Sequence, residues 1–182
     1  MCLNNEVWSL IRLTFNIKNS MVIHRTSLHH ISLTNCVDKV VKWNCRNHSC
    51  YILNVDGSCH GNPPRTGFGG LLRNNDGFFI SGFSGFVANS SDILFVELFA
   101  IFNGLRMVRT LRITGFVCYS DSLHFVSLIN GPPMKCHVYA TLIQDIKDLI
   151  IHSNTSILHT LREGNNCADF LAKMGVASDS DD

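Results

Sequence analysis

Four carboxylates sit in apolar sequence. Val55 precedes Asp56, Val96 and Leu98 flank Glu97, Tyr119 stands two residues before Asp121, and Ala168 and Phe170 flank Asp169. An unpaired charge is expensive in such surroundings. Carboxylates that converge repel one another, and divalent cations, which favour hard oxygen ligands, remove that cost. Two such ions roughly 3.5–4 Å apart activate a water and stabilise the leaving oxygen in phosphodiester cleavage, with no nucleophilic side chain. Taken singly, each acid also reads as a solvated surface carboxylate or a helix cap, and Asp121 is placed to cap the helix after it. The metal reading rests on the four together.

These residues need elements to carry them. Tyr51–Val55 is a short apolar run that meets Asp56-Gly57, a strand-to-turn signal, so Asp56 is expected at the end of a first strand. Gly61, Asn62, Pro63 and Pro64 mark a loop. Gly67–Arg73 and Phe78–Phe86 read as two more strands around the hairpin turn Asn74-Asn75-Asp76-Gly77. From Asp92 to Arg109 the period becomes helical, with Leu94, Leu98, Ile101, Leu105 and Val108 in step and Ser90, Ser91 or Asp92 able to cap the start. Glu97 falls in the first turns of that helix. Thr114–Tyr119 reads as a buried strand followed by Asp121. Helices follow over Ser122–Ile129, stopped by Gly131-Pro132-Pro133, and over Val138–Ile151. A last strand over Ser156–Thr160 precedes a helix over Asn165–Met174, which carries Asp169 and ends at Gly175. Three antiparallel strands followed by alternating elements predict an α/β fold, a five-stranded mixed sheet flanked by helices.

The chain has 182 residues, enough for one domain with additions. Its 46% hydrophobic content supplies a core and excludes global disorder. The formal charge of +1 excludes a non-specific basic coat, so contact with nucleic acid must rest on a local patch and on metal ions. The eight cysteines show no disulfide framework and read as reduced thiols of an intracellular protein, cytoplasmic or nuclear. Cys45, His48 and Cys50, with His60 further on, match no standard zinc spacing. No apolar run reaches the roughly 18 residues of a membrane span. Residues 1–47 carry no clear turn grammar and read as a leader of uncertain structure. Residues 48–176 form the domain, and 177–182 an acidic, disordered tail.

The motifs resemble the ribonuclease H family, most closely the branch found in plant retrotransposon-derived, reverse transcriptase-related proteins. The resemblance is carried by Asn54-Val55-Asp56-Gly57-Ser58, Gly61-Asn62-Pro63 and Gly67-Phe68-Gly69-Gly70-Leu71-Leu72-Arg73. Glu97-Leu98-Phe99-Ala100 with Gly104-Leu105, Tyr119-Ser120-Asp121-Ser122, and Arg162-Glu163-Gly164-Asn165 with Ala168-Asp169-Phe170-Leu171-Ala172-Lys173 complete it. It implies a ribonuclease H-like fold, with Asp56, Glu97, Asp121 and Asp169 as catalytic metal ligands for two Mg2+ ions, or Mn2+ in their place. It also implies hydrolysis of the RNA strand of an RNA–DNA hybrid. The partner expected is that hybrid, with no membrane and no small-molecule cofactor, for a chain acting as a monomer. Gly57, Ser58 and Asn62 are then expected as donors near the RNA strand, where 2′-hydroxyls distinguish it from DNA; the plainer reading of all three is turn chemistry.

The chain departs from the family pattern at several points. Pro64 stands where glycine is usual, and bulky Ile93-Leu94-Phe95-Val96 precede Glu97 where small polar residues are more common. His159 is the one histidine near the closing motif and reads as a packed or surface residue. Arg106, Arg109 and Arg112 read either as a phosphate-contacting patch or as the solvated end of a helix. Two alternatives to the hybrid nuclease stay open. One is a catalytically weak or inactive nucleic-acid-binding module of retrotransposon origin. The other is a two-metal nuclease with a different substrate on the same fold.

Overall fold

The computed structural model describes residues 50–87, 91–132 and 137–178. The expected leader, the end of the acidic tail, and Cys45 and His48 of the weak zinc spacing lie outside them. The strands are β1 (Ile52–His60), β2 (Arg65–Arg73), β3 (Phe79–Val87), β4 (Val117–Ser120) and β5 (Ser156–His159). The helices are α1 (Ile93–Thr110), α2 (Leu123–Asn130), α3 (Ala140–Ser153) and α4 (Asn166–Ala177), with a short 3-10 turn over Arg162–Gly164.

The strands form one five-stranded sheet in the order β3-β2-β1-β4-β5. β1, β2 and β3 are antiparallel neighbours, whereas β4 pairs parallel to β1 and β5 parallel to β4. This is the expected mixed sheet, with three antiparallel strands first. The hairpin turn is held by Asn74, whose Oδ1 accepts from the backbone N–H of Phe78 at 2.8 Å and of Asp76 at 3.1 Å.

β1 alternates in the manner of a central strand. Leu53 and Val55 face α1, where they pack against Gly104. Asn54, on the opposite face, reaches Asn165 at the start of α4. The main core lies on the α1 side, built from Leu53, Val55, Leu98, Ile101, Leu105, Phe116, Ile146 and Ile157 among others. Truncating a fully buried member such as Leu105 to alanine costs about 2–5 kcal/mol. α4 lies so close on the other face that only glycine fits beneath it. A Cβ on Gly67 or Gly69 would strike the α4 backbone, and one on Gly175 would strike the backbone of Gly85 in β3.

Several boundaries differ from expectation, each for a physical reason. β1 does not end at Asp56. It continues to His60 because its ladder with β2 runs on unbroken through Asp56↔Gly69 and Ser58↔Gly67. Gly57 and Ser58 are therefore strand residues rather than turn residues. The strand expected from Thr114 begins only at Val117, because the chain turns at Gly115, where φ is +68°. Gly175 does not stop α4; its lack of a side chain serves the packing on Gly85, and the helix continues to Ala177, which the sequence assigns to the tail.

Candidate metal centre

The last β1–β4 pair is Asn54↔Tyr119. Beyond it β1 continues while β4 ends at Ser120, which opens a notch at the carboxyl end of β4. Ligand sites of open α/β sheets form at such strand ends. Asp56 sits in β1 beside this notch, and Asp121 follows β4 directly.

Glu97 enters from the second turn of α1. That helix starts at Asp92, whose Oδ1 accepts from the backbone N–H of Leu94 at 2.8 Å, while the Tyr139 hydroxyl donates to its Oδ2. Capping of this kind satisfies a backbone N–H that has no partner within the helix. Gly57 lets β1 press against the helix: a Cβ there would lie 2.9 Å from the Glu97 nitrogen.

One carboxylate oxygen from each of Asp56, Glu97 and Asp121 lies within 4.8 Å of the other two. Asp56 is 5% exposed and Glu97 9%. At that separation two full charges repel by roughly 3 kcal/mol at an effective dielectric constant of 20. The two buried groups therefore hold protons more tightly than ordinary carboxylates. Burial is the largest cause of the rise at Asp56, followed by the negative charges of Glu97, Asp121 and Asp169. Burial and then Asp121 raise Glu97 to about 8, while the Gly57 N–H and the positive charge of Arg162 pull it down.

The buried Oε2 of Glu97 accepts no hydrogen bond. An orphaned buried oxygen is costly, and a cation supplies its missing partner. Hard oxygen donors, mutual repulsion and this orphaned atom together fit an oxygen-preferring divalent ion. The plainer reading of Asp121 as a helix cap finds no support, since Ser122 is the N-cap residue of α2 and makes no side-chain cap bond.

The fourth acid is placed differently. Asp169, in the first turn of α4, is near enough to raise Asp56 but does not belong to the close group of three. Its Oδ2 accepts from Lys173 Nζ at 2.6 Å, one helical turn on. Of the four acids expected to converge, three thus lie within 4.8 Å of one another, and the fourth stands outside that group, tied to a lysine.

Of the expected nucleic-acid contacts, Ser58 is buried, and Gly57 directs its N–H to the carboxylates. Asn62 alone is exposed, in the turn between β1 and β2. His159 is a surface residue, as expected, but its Nε2 lies 3.2 Å from the Asp121 carbonyl oxygen, at the edge of the notch. Arg106, Arg109 and Arg112 are exposed. Arg109 lies twelve helical residues beyond Glu97, roughly 18 Å along the axis, away from the acids. Arg162, Asn165 and Lys173 also bear on the centre, and their place in the closing motif is their only signal in the sequence.

No curated protein matches the chain in sequence. Among solved structures it is similar to the N-terminal RNase H domain of a Mycobacterium tuberculosis protein, with a TM-score of 0.64, 20% identity, and 71% of this chain and 95% of that chain covered. RNase H1 from the halophilic archaeon Halobacterium salinarum gives a TM-score of 0.63 at 19% identity, covering 70% of this chain and 97% of that one. LC11-RNase H1, isolated from compost and solved in complex with an RNA/DNA hybrid, gives 0.62 at 19% identity, with 70% and 96% covered. At these identities the likeness shows the fold, which is ribonuclease H-like. The model of the reverse transcriptase-like family matches residues 54–175. That match spans all four acids and about two thirds of the sequence, and the chain belongs to the reverse transcriptase-like family.

Proposed function

We propose that the domain is a metal-dependent endonuclease that hydrolyses the RNA strand of RNA–DNA hybrids, with Asp56, Glu97, Asp121 and Asp169 as its metal ligands. The observation that carries this reading is the convergence of Asp56, Glu97 and Asp121 at the open end of β4, on a fold shared with RNase H domains. LC11-RNase H1 and a foamy viral protease–reverse transcriptase, 22% of whose chain matches this fold, were each solved with an RNA/DNA hybrid, which supports that substrate class here.

Two Mg2+ ions, or Mn2+ in their place, would supply an activated water and neutralise the departing 3′-oxygen. The chain's own residues do the rest. Asp56, Glu97 and Asp121 would hold one ion, and Asp169, whose carboxylate is paired with Lys173, would contribute to the other. The Gly57 N–H orients the buried carboxylates. Arg162, exposed and acting on Glu97 by its charge, would meet the phosphate backbone of the incoming strand, and exposed Asn62 would contact the same substrate. A reducing compartment, cytoplasmic or nuclear, belongs to the same proposal on the basis of cysteine usage.

The Lys173–Asp169 ion pair favours a second reading, a weakly active or inactive binding module in which the second ion never displaces the lysine. A labelled hybrid incubated with magnesium and either wild type or Asp56→Asn separates the two. Magnesium-dependent cutting that the substitution abolishes supports the nuclease. Tight hybrid binding with no cutting by folded wild type rejects it and leaves the binding module.

A further inference from the structure

A line of buried polar side chains runs beneath the metal centre, and the proposed chemistry does not use it. Arg73, at the end of β2, donates from Nη2 to Asn54 Oδ1 at 2.6 Å. Asn54, in β1, donates from Nδ2 to Asn165 Oδ1 at 3.0 Å. Asn165 donates from its own Nδ2 to the Val55 carbonyl at 2.9 Å. All three side chains are inaccessible, with Asn165 1% exposed, Asn54 3% and Arg73 5%. Burying an arginine and two amides in a small domain is costly unless each is well bonded.

The location of the line gives it a use. Val55 immediately precedes Asp56, and its carbonyl lies just past the last residue of β1 that pairs with β4. The backbone carbonyl of Asn165 accepts from the Asp169 N–H at 3.1 Å and from the Ala168 N–H at 2.9 Å, closing the first turn of α4. Asn165 therefore bonds by its side chain to the residue before one acid and by its main chain to the other acid. Arg73 and Asn54 hold its amide in a single orientation.

We propose that Asn165, braced by Asn54 and Arg73, is a positioning residue that sets the Asp169 carboxylate at the distance from Asp56 that a second divalent ion requires. This rests on the metal-dependent reading above and adds the device that gives the fourth acid its place. With the backbone fixed, only the Asp169 side chain has to turn from Lys173 for the second ion to bind.

The test is titration of full-length protein with Mn2+, with folding checked by circular dichroism. Wild type should bind two ions. Asn165→Ala should keep the first at near wild-type affinity and bind the second at least tenfold more weakly. Asp169→Asn should show the same pattern, and adding Asn165→Ala to it should change nothing further, because the asparagine acts through that carboxylate. General loosening of the fold would instead weaken both sites and add to the Asp169→Asn effect. If Asn165→Ala does not fold, a folded Asn54→Ala, which removes the bond to Asn165 together with the acceptor of Arg73, should weaken the second site about three- to tenfold. Two ions bound within twofold of wild type by a folded variant overturns the proposal, as does an additive effect in the double variant. Wild type that binds no Mn2+ overturns the metal-dependent reading itself, and this inference with it.

Discussion

At the scale of single residues the centre is a charge problem that the bare protein solves with protons. Asp56 and Glu97 have folded-state pKa values raised to about 9 and about 8. Between the ordinary carboxylate range and those values the fold binds more protons than the unfolded chain, so stability falls as pH rises. In chelator, the melting temperature should therefore drop steadily from pH 5 to pH 9. Saturating Mg2+ should flatten the drop, because the ion replaces the protons, and Glu97→Gln should remove much of it. Thermal unfolding across pH, with and without metal, checks this; a melting temperature that rises with pH in chelator would contradict the assigned shifts. Lys173 poses a smaller problem. Its bond to Asp169 is short, but the lysine is about half exposed, so solvent screens the pair and its worth is about 0–1 kcal/mol. Lys173→Met should accordingly lower the Mg2+ concentration for half-maximal cutting by up to about fivefold. A rise in that concentration would mean that the lysine assists the second ion rather than competing with it.

At the scale of elements, glycine decides how closely α4 approaches the sheet, and so how near Asp169 comes to Asp56. Gly175→Ala places a methyl group on the Gly85 main chain, which cannot retreat without breaking its ladder with β2. Overpacking of this kind costs about 1–3 kcal/mol. Denaturant unfolding should show that loss, together with weaker metal binding as α4 lifts. The same glycine shows what a sequence conceals. Gly175 and the pair Asp56-Gly57 carry the local marks of a helix stop and a turn, yet both sit inside regular elements, because a close contact and a continuing ladder override local preference. Element order and the helical period of α1 were legible, since an apolar stripe is a local pattern. The three central acids were legible from their apolar surroundings and their motifs. The Arg73–Asn54–Asn165 line was not: it joins residues 19 and 111 positions apart, and no local spacing encodes it. The looser placement of Asp169 was hidden likewise, although Lys173 four residues on is a spacing that pairs across one helical turn.

For the molecule as a whole, the net charge of +1 limits how it can hold a polyanion. Affinity for duplexes ordinarily grows with the number of phosphates neutralised, and log K falls with log salt at a slope of about −0.9 per phosphate contact. Here Arg106, Arg109 and Arg112 cluster toward the far end of α1 from Glu97. Among the described residues, the cations that act on the acids are Arg162, whose charge lowers Glu97, and Lys173, already engaged with Asp169. Among the described residues, the acidic end thus offers few free positive charges, and without metal the acids repel a nucleic-acid strand. Hybrid binding in chelator, followed by fluorescence anisotropy from about 50 to 200 mM salt, should therefore be weak, with a slope no steeper than about −3, or less than about a hundredfold loss across that range. A slope near −6 would show that a basic surface elsewhere in the chain carries the duplex, and the local-patch account of recognition would fall. A shallow slope would leave metal ions to supply much of the attraction, tying substrate affinity to the same carboxylates to which the proposed chemistry is assigned.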